Sequence, residues 1–217
     1  MSAHSRNDEL KSLRGKTAIV GSAMAGLGKA PAGRNFMELA GEVCVRAAES
    51  AGVQLHEVDG IFGASMSRLM WTIDLAEYLG IDPTYCDGTQ LGGSSFESHC
   101  MSAALALEAG LCNVALICFS ATTRSMRGPW PQLREPDLHQ DPYRAEGLST
   151  YAMATARHMH EYGTSREQLA EVAVTARRWA QLNPLATKRD PLTIEDVINA
   201  PSVSTPLTVR DCCLISD

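Results

Sequence analysis

Four small residues, Gly92-Gly93-Ser94-Ser95, have the types and spacing that could stabilise a developing negative charge. They stand directly before a predicted helix, and N–H groups at a helix start are oriented donors for an oxyanion or a carbonyl oxygen. Two adjacent glycines also let a ligand approach the main chain closely, because they carry no side chain. A tight turn that serves packing alone explains the same residues, so both interpretations stay open at this point.

A second glycine-rich turn, from Gly21 to Ala30, follows an apolar run and contains Gly28-Lys29, as a phosphate-binding loop does. Three positions depart from that pattern. Ala23 stands where the first glycine is required, and Ala30 stands where a hydroxyl should hold magnesium. Pro31 then interrupts the row of N–H groups. We therefore interpret this segment as a turn between a strand and a helix.

Arg124 and Arg127 are candidate ligands for phosphate groups, because the guanidinium fork matches phosphate oxygens. They lie in a stretch from 122 to 143 that contains four prolines and little periodicity, which predicts a long loop. Long loops are usually functional or disordered. Solvated loop charges are an equal alternative interpretation of these two arginines.

The histidines and cysteines show no spacing that is typical of a metal site, and we expect no metal. His158 and His160 are two residues apart, so they face different sides of a predicted helix. Together with His99 and His139, they have no partner pattern that marks a general base. The seven cysteines include no CxxC pair, and several lie in apolar segments where a free thiol behaves as a small hydrophobe.

Charge and hydropathy argue against two classes of protein. A net charge of -6 is the opposite of the basic face that a nucleic-acid-binding protein needs. The apolar runs are shorter than the roughly 20 residues that span a bilayer. The polar N-terminus does not look like a signal peptide. These features and the free thiols predict a cytoplasmic protein without a nucleic-acid partner or membrane span.

Alternating apolar runs and amphipathic segments predict an α/β fold, with a parallel or mixed sheet and helices on its faces. Capping boxes at Asn35, Ser165 and Thr193 mark three helix starts. The predicted strands are 16–21, 58–63, 84–86 and 114–119. The predicted helices are 36–51, 69–79, 95–109, 150–162, 166–182 and a short one after Thr193.

Several segments resemble, in their order and spacing, members of the thiolase superfamily. The resemblance extends over nearly everything from Lys16 to Asp217. The matching segments are Ala18–Gly21, Glu38–Ala48, Ala51–Val53, Glu57–Gly60, Leu107–Gly110, Asn113–Ile117, Tyr162–Ser165, Leu169–Ala173, Asn183-Pro184 and Asp211–Cys213.

The resemblance gives residue 93 a special meaning. Thiolases carry a nucleophilic Cys at the N-terminus of the long helix, where the helix dipole lowers the pKa of the thiol. Alignment on Gly110 places Gly93 at that position. Cys100 lies seven residues further along, inside the helix, and we expect it to belong to the core. The missing Cys resembles a lipid-transfer-like subgroup that includes steroid side-chain retro-aldolases.

The same resemblance implies a domain organisation. Residues 1–15 are expected to form a flexible tail, and 16–120 a thiolase-like, layered α/β domain. Residues 121–205 would form a helical loop domain that acts as a lid. Residues 206–217 would lead back towards a strand of the first domain. We expect the C-terminal half of the fold, with most acid/base residues, to lie outside this chain.

The implied function is acyl-CoA handling, with C–C bond chemistry at a CoA thioester. Gly92, Gly93, Ser94 and Ser95 would stabilise the oxyanion, and Arg124 and Arg127 would bind the substrate. Coenzyme A would enter as part of the substrate, with no separate cofactor. The subgroup acts with a small OB-fold-type partner, and we expect a homodimer through the edge strand 114–119. A non-catalytic acyl-CoA or lipid carrier, or a scaffold acting with a partner, is the alternative.

Overall fold

The computed structural model describes residues 13–65, 68–125 and 147–217. Arg127, most of the predicted flexible tail and most of the predicted loop 122–143 lie outside these ranges. The chain divides into two compact units. Of the described residues, the first unit comprises 13–65 and 68–125 together with Ser216 and Asp217, and the second comprises 147–215.

A parallel three-stranded sheet forms the centre of the first unit, with the strand order β2-β1-β3. Two helices cover one face of this sheet and a third covers the other, so the predicted layered α/β fold is confirmed. The strands are β1 (Gly60–Gly63), β2 (Tyr85–Asp87) and β3 (Ala115–Cys118); the helices are α1 (Phe36–Ala51), α2 (Trp71–Leu79) and α3 (Ser95–Glu108), with a short 3-10 helix at Leu55–Glu57.

Local signals set the helix ends where the sequence predicts them. The Asn35 side chain accepts hydrogen bonds from the N–H groups of Met37 and Glu38, and the Glu38 carboxylate accepts one from the Asn35 N–H. This reciprocal capping box starts α1. Gly52 ends the same helix with φ of 69°, a left-handed conformation that glycine adopts without steric cost.

The central strand is buried on both faces. Ile61 and Phe62 are adjacent, so their side chains point to opposite faces of the sheet, and both are fully buried. Ile61 packs with α1 and α2 residues such as Cys44 and Leu75, whereas Phe62 packs against Ala103 and Ala106 of α3. A strand covered on both faces is typical of parallel sheets.

The prediction of a buried strand at 16–21 is wrong for the described structure. This run forms no strand, and the side chains of Ile19 and Val20 are 85% and 65% exposed. It instead lies along α1, where the Ser22 N–H donates to Ser50 Oγ at 3.1 Å. A strand needs a neighbouring strand to receive its backbone hydrogen bonds, and none pairs with this run within the described ranges.

Asp59, just before β1, forms hydrogen bonds with the two residues that precede β3. Its carboxylate accepts hydrogen bonds from the N–H groups of Asn113 and Val114 and from the Asn113 side-chain amide, at 2.8–3.0 Å. Partial burial alone would raise the pKa of Asp59. The hydrogen bonds from Val114 and Asn113 outweigh that effect and lower the pKa below its ordinary value of 3.8.

We expect Asp59→Ala to lower the free energy of unfolding by about 1–2 kcal/mol at neutral pH, because three donors lose a charged acceptor. The folded-state pKa is lowered, so this stabilisation is present above the unfolded-state pKa of about 3.9 and is lost as the pH falls through the folded-state value. Urea denaturation of both proteins from acid to neutral pH measures it. A difference in stability that stays constant below pH of about 3.9 would contradict this assignment.

Residues 147–215 of the second unit form three helices and a short antiparallel ribbon. Its apolar core includes Ala170, Val174 and Val197, each buried. A salt bridge between Arg166 and Asp211, with an Nη2–Oδ2 distance of 2.9 Å, joins the second helix to the turn after the ribbon. The elements are α4 (Leu148–Tyr162), α5 (Arg166–Leu182), α6 (Ile194–Ile198), β4 (Ser202–Ser204) and β5 (Leu207–Thr208).

None of the helices within residues 13–65, 68–125 and 147–217 is long and apolar enough to cross a bilayer. No group of three His, Cys, Asp or Glu side chains in the same ranges could hold a metal ion.

Candidate functional site

The predicted oxyanion turn lies at the N-terminus of α3, and Ser95 shapes it. The Ser95 side chain is fully buried. Its hydroxyl donates to the Gly92 carbonyl oxygen at 2.7 Å and accepts from the Leu91 N–H at 2.9 Å. The Ser95 N–H donates to the same Gly92 oxygen at 3.1 Å. These bonds fold residues 91–95 into a compact turn, with Gly92, Gly93 and Ser94 exposed on its outside.

Gly93 stands two residues before the first residue of α3. A Cβ atom at this position would meet no heavy atom within 4 Å, and the backbone is not in the left-handed region. The fold therefore does not require glycine here, and a larger side chain would fit. The absence of a side chain leaves open space beside the positive end of the helix.

Gly92 has a different reason to be glycine, since its φ is 74°. Open space surrounds its Cα, so the backbone conformation alone disfavours other residues. We expect Gly92→Ala to cost about 1 kcal/mol of stability, because an L-residue is strained in this region. Gly93→Ala is the matched control and should leave the midpoint of thermal unfolding unchanged or slightly raised. Equal effects of the two substitutions would contradict this account of the turn.

Sequence reasoning left His99 unassigned, but the structure places it beneath the turn. It is fully buried in α3, and its Nε2 accepts a hydrogen bond from the Thr89 N–H at 3.1 Å. Nδ1 therefore carries the proton of the neutral ring. Among the described residues, Nδ1 and the Thr89 hydroxyl have no hydrogen-bond partner. Only the tertiary fold brings residues 89 and 99 together, so no local sequence pattern could have identified this pair.

Arg124 lies in a separate cluster around the glycine-rich turn 21–30. Its Nη1 donates to the Gly28 carbonyl oxygen at 3.2 Å. Asp217 completes this cluster, since its carboxylate accepts hydrogen bonds from the Ala30 N–H and from the N–H and hydroxyl of Ser125. The Asp217 N–H also donates to the Gly28 oxygen at 3.4 Å. The turn that resembles a phosphate loop thus binds a carboxylate of this chain.

The hydrogen bonds of the predicted site residues fall into two groups. Gly92 to Ser95 form one turn, whereas no hydrogen bond within the described ranges joins Arg124 to it. Arg127 lies outside the described residues. Substrate binding by these residues stays a prediction.

The prediction that Cys100 belongs to the core is wrong for the described structure, because its side chain is exposed on α3. Cys44 and Cys118 are buried together. A hydrogen bond between these two thiols, together with burial, raises the pKa of Cys118 well above its ordinary value. Partial desolvation also raises the pKa of the exposed Cys86, and burial raises that of Cys112. These three thiols are therefore poor thiolate nucleophiles.

The chain is similar to several known proteins, although no protein-family model matches it. The chain is 32% identical, over 84% of its length, to an acetyl-CoA acetyltransferase of Methanothermobacter thermautotrophicus, of which it covers 50%. It is 31% identical, over 90% of its length, to a steroid side-chain-cleaving aldolase of Thermomonospora curvata, of which it covers 54%.

A solved structure, the Ltp2-ChsH2(DUF35) aldolase, matches with a TM-score of 0.75 and 28% identity. That match covers 93% of this chain and 54% of the other. The chain thus spans about half the length of the curated relatives it matches.

Proposed function

We propose, since this chain belongs to the thiolase superfamily, that the whole protein acts on an acyl-CoA thioester through C–C bond chemistry without a nucleophilic Cys. The observation that carries this proposal is Gly93 at the N-terminus of α3. A glycine there cannot form a covalent acyl-enzyme. The similarity to a steroid side-chain-cleaving aldolase supports cleavage of a C–C bond. Because an acetyl-CoA acetyltransferase is equally similar, the preference over acyl transfer rests on Gly93.

The turn supplies electrostatic stabilisation in this proposal. In a retro-aldol cleavage, a base removes the proton of the β-hydroxyl, the Cα–Cβ bond breaks, and its electron pair moves onto the thioester carbonyl oxygen. Backbone N–H groups at the start of α3, other than the Ser95 N–H that donates to Gly92, suit this oxyanion, because they are fixed before the reaction and need no reorientation. Protonation at Cα then releases the shortened thioester.

His99, whose ring is buried beneath the turn, does not serve as the base or the acid of this reaction. His99 is fully buried, and its Nε2 is already engaged with Thr89. We therefore assign His99 to positioning the turn and not to proton transfer. The simplest source of proton-transfer groups is the part of the relatives that this chain does not span.

A small OB-fold-type partner and a homodimer are further parts of the proposal. The solved aldolase that this chain resembles is named for two components, Ltp2 and ChsH2(DUF35), which supports a partner requirement. Homodimer formation and a cytoplasmic location stay predictions.

The test is to produce the whole protein with its candidate partner and incubate it with a branched β-hydroxyacyl-CoA. We expect mass spectrometry to show a shortened acyl-CoA together with a carbonyl product. Binding of the thioester without turnover would favour the carrier alternative. Loss of activity on alkylation of a single Cys would instead support an ordinary thiolase mechanism and contradict the proposal.

Gly93→Cys tests whether residue 93 lies at the positive end of α3. We expect the variant to fold, since the position is open. The introduced thiol should have a pKa below the ordinary value of about 8.5, because the helix N-terminus favours the thiolate. The rate of iodoacetamide alkylation against pH, mapped by peptide, measures this pKa. The Cys100 thiol, inside the same helix, is the internal control, and equal pH profiles would contradict the placement.

A further inference from the structure

Large apolar side chains are exposed at the C-terminal end of α5, in the second unit. Trp179, Leu182 and Leu185 are 71%, 76% and 61% exposed. Trp179 and Leu182 are three residues apart, so they are neighbours on the surface of the helix. Val172, which is also exposed, precedes Trp179 by seven residues on the same side. A group of neighbouring exposed apolar side chains, unlike a single exposed leucine, marks a binding surface.

This side of α5 faces away from the apolar core of the second unit. Ala170 and Val174 of the same helix are buried in that core. With 3.6 residues per turn, Val172 and Trp179 lie on roughly the opposite side of the helix from these two residues. The internal packing of the second unit therefore does not explain why apolar residues occupy these positions.

The chain turns back after α5 and returns along the end of the helix. The Leu185 N–H donates a hydrogen bond to Asn183 Oδ1 at 2.9 Å. The Arg177 side chain then donates from Nη1 to the Asp190 carbonyl oxygen at 2.8 Å. Because Arg177 belongs to α5, this bond holds the returning segment beside the C-terminal part of the helix.

The returning segment brings positive charge to the apolar side chains. Residues 177–190 contain four basic side chains and one acidic side chain, a local excess of positive charge in a chain whose net charge is -6. Lys188 and Arg189 are exposed. Neither of them forms an ion pair with another described residue. Both charges are therefore available to an anionic group outside the unit.

We propose that Trp179, Leu182, Leu185, Lys188 and Arg189, which we call the α5 surface, bind an anionic lipid surface. Tryptophan has an apolar ring and a polar N–H group, which suits the boundary between lipid headgroups and acyl chains. The two leucines enter the same boundary, while the two cations bind lipid phosphates and carboxylates. This charge complementarity and the apolar side chains carry the proposal, which does not depend on the acyl-CoA chemistry proposed above.

Sedimentation with lipid vesicles tests the proposal. We expect the protein to bind vesicles with about 30% phosphatidylserine more tightly than vesicles of phosphatidylcholine alone. High salt should weaken that binding, because the Debye length falls from about 10 Å at 0.1 M salt to about 3 Å at 1 M. Absence of binding to the anionic vesicles, or equal binding to both kinds, would overturn the proposal.

Substitutions in the α5 surface separate its apolar part from its charged part. Trp179→Ala should weaken binding to the anionic vesicles about tenfold or more. The double substitution of Lys188 and Arg189 by Gln should weaken it about thirtyfold and abolish the preference for phosphatidylserine. All three side chains are exposed, so these variants should fold, and their thermal unfolding checks this.

Tyr151→Ala is the matched control for Trp179→Ala. Tyr151 is an aromatic residue of α4 with 69% of its surface exposed, and no Lys or Arg lies within four residues of it in the sequence. We expect this variant to bind the anionic vesicles as the unsubstituted protein does. An equal loss of binding in the two variants would contradict the assignment to the α5 surface.

Quenching of tryptophan fluorescence by brominated lipids shows whether the Trp179 ring itself enters the bilayer. Trp179→Phe removes this fluorophore and keeps an aromatic ring, whereas Trp71 is buried in the first unit and should be quenched little. We expect most of the quenching to disappear in Trp179→Phe, and unchanged quenching would contradict the proposal.

Two other results would assign the α5 surface to a different occupant and overturn the proposal. One is a dimer in sedimentation equilibrium that Trp179→Ala dissociates, which would indicate a second copy of the chain. The other is release of the protein from vesicles by free coenzyme A at constant ionic strength, which would indicate that Lys188 and Arg189 bind a soluble phosphate ligand.

Discussion

Replacing Asp211 with alanine should lower the free energy of unfolding of the second unit by about 3 kcal/mol, the largest effect that we expect from a single side chain. Arg166 and Asp211 form a two-pronged ion pair, at 2.9 and 3.3 Å, and their side chains are only 21% and 4% exposed. Asp211 also accepts hydrogen bonds from the N–H and hydroxyl of Thr208. Its loss would leave Arg166 largely buried without an opposite charge.

Hydrogen exchange of the α5 and α6 amides measures this effect within the second unit. Glu171→Gln, on the same helix, is the matched control. Glu171 pairs with Arg178, but the two side chains are 43% and 67% exposed, so we expect a change below about 0.5 kcal/mol. Similar effects of the two substitutions would show that the Arg166 pair is not a buried anchor.

Acid should reproduce part of the Asp211→Ala effect. Burial alone would raise the pKa of Asp211, but hydrogen bonds from Arg166 and Thr208 outweigh it and lower the pKa. The stabilisation is therefore present above the unfolded-state pKa of about 3.9 and is lost as the pH falls through the folded-state value.

Replacing Ser95 with alanine should destabilise the first unit by about 1–2 kcal/mol and disorder the predicted oxyanion turn. The substitution removes the acceptor of the Leu91 N–H and one donor to the Gly92 oxygen. Each of these two part-buried hydrogen bonds contributes about 0.5–1.5 kcal/mol. Under the proposed function, affinity for an acyl-CoA should fall as well, because the turn would no longer hold its N–H groups in place.

Ser98→Ala is the control for Ser95→Ala on the same helix. The Ser98 hydroxyl makes no hydrogen bond within the described part of the chain, and we expect a change within about 0.5 kcal/mol. Urea denaturation followed through the buried Trp71, which belongs to the first unit, measures both variants. A Ser95→Ala protein as stable as Ser98→Ala would mean that Ser95 does not determine the turn.

Different kinds of interaction stabilise the two units. The oxyanion turn depends on neutral hydrogen bonds between residues four or fewer apart. The second unit depends on an ion pair between residues 45 positions apart. The first kind can be seen as a compact motif in the sequence, whereas the second cannot.

The sequence by itself determined the elements with local signals. The capping boxes at Asn35, Ser165 and Thr193 and the glycine that ends α1 mark helix boundaries within a few residues, and the structure has them in those places. The order of segments also predicted the resemblance to the thiolase superfamily, which the relatives confirm. Local hydrogen bonds and backbone preferences need no distant partner, so a sequence pattern is enough to predict them.

Only the tertiary structure decided that residues 16–21 form no strand and that Cys100 is exposed. An apolar run becomes a buried strand only when a neighbour pairs with it, and a helix residue is buried only when something covers its face. The bonds of His99 to Thr89 and of Asp217 to Ala30 and Ser125 likewise arise from folding, because they join parts of the chain that no local pattern connects.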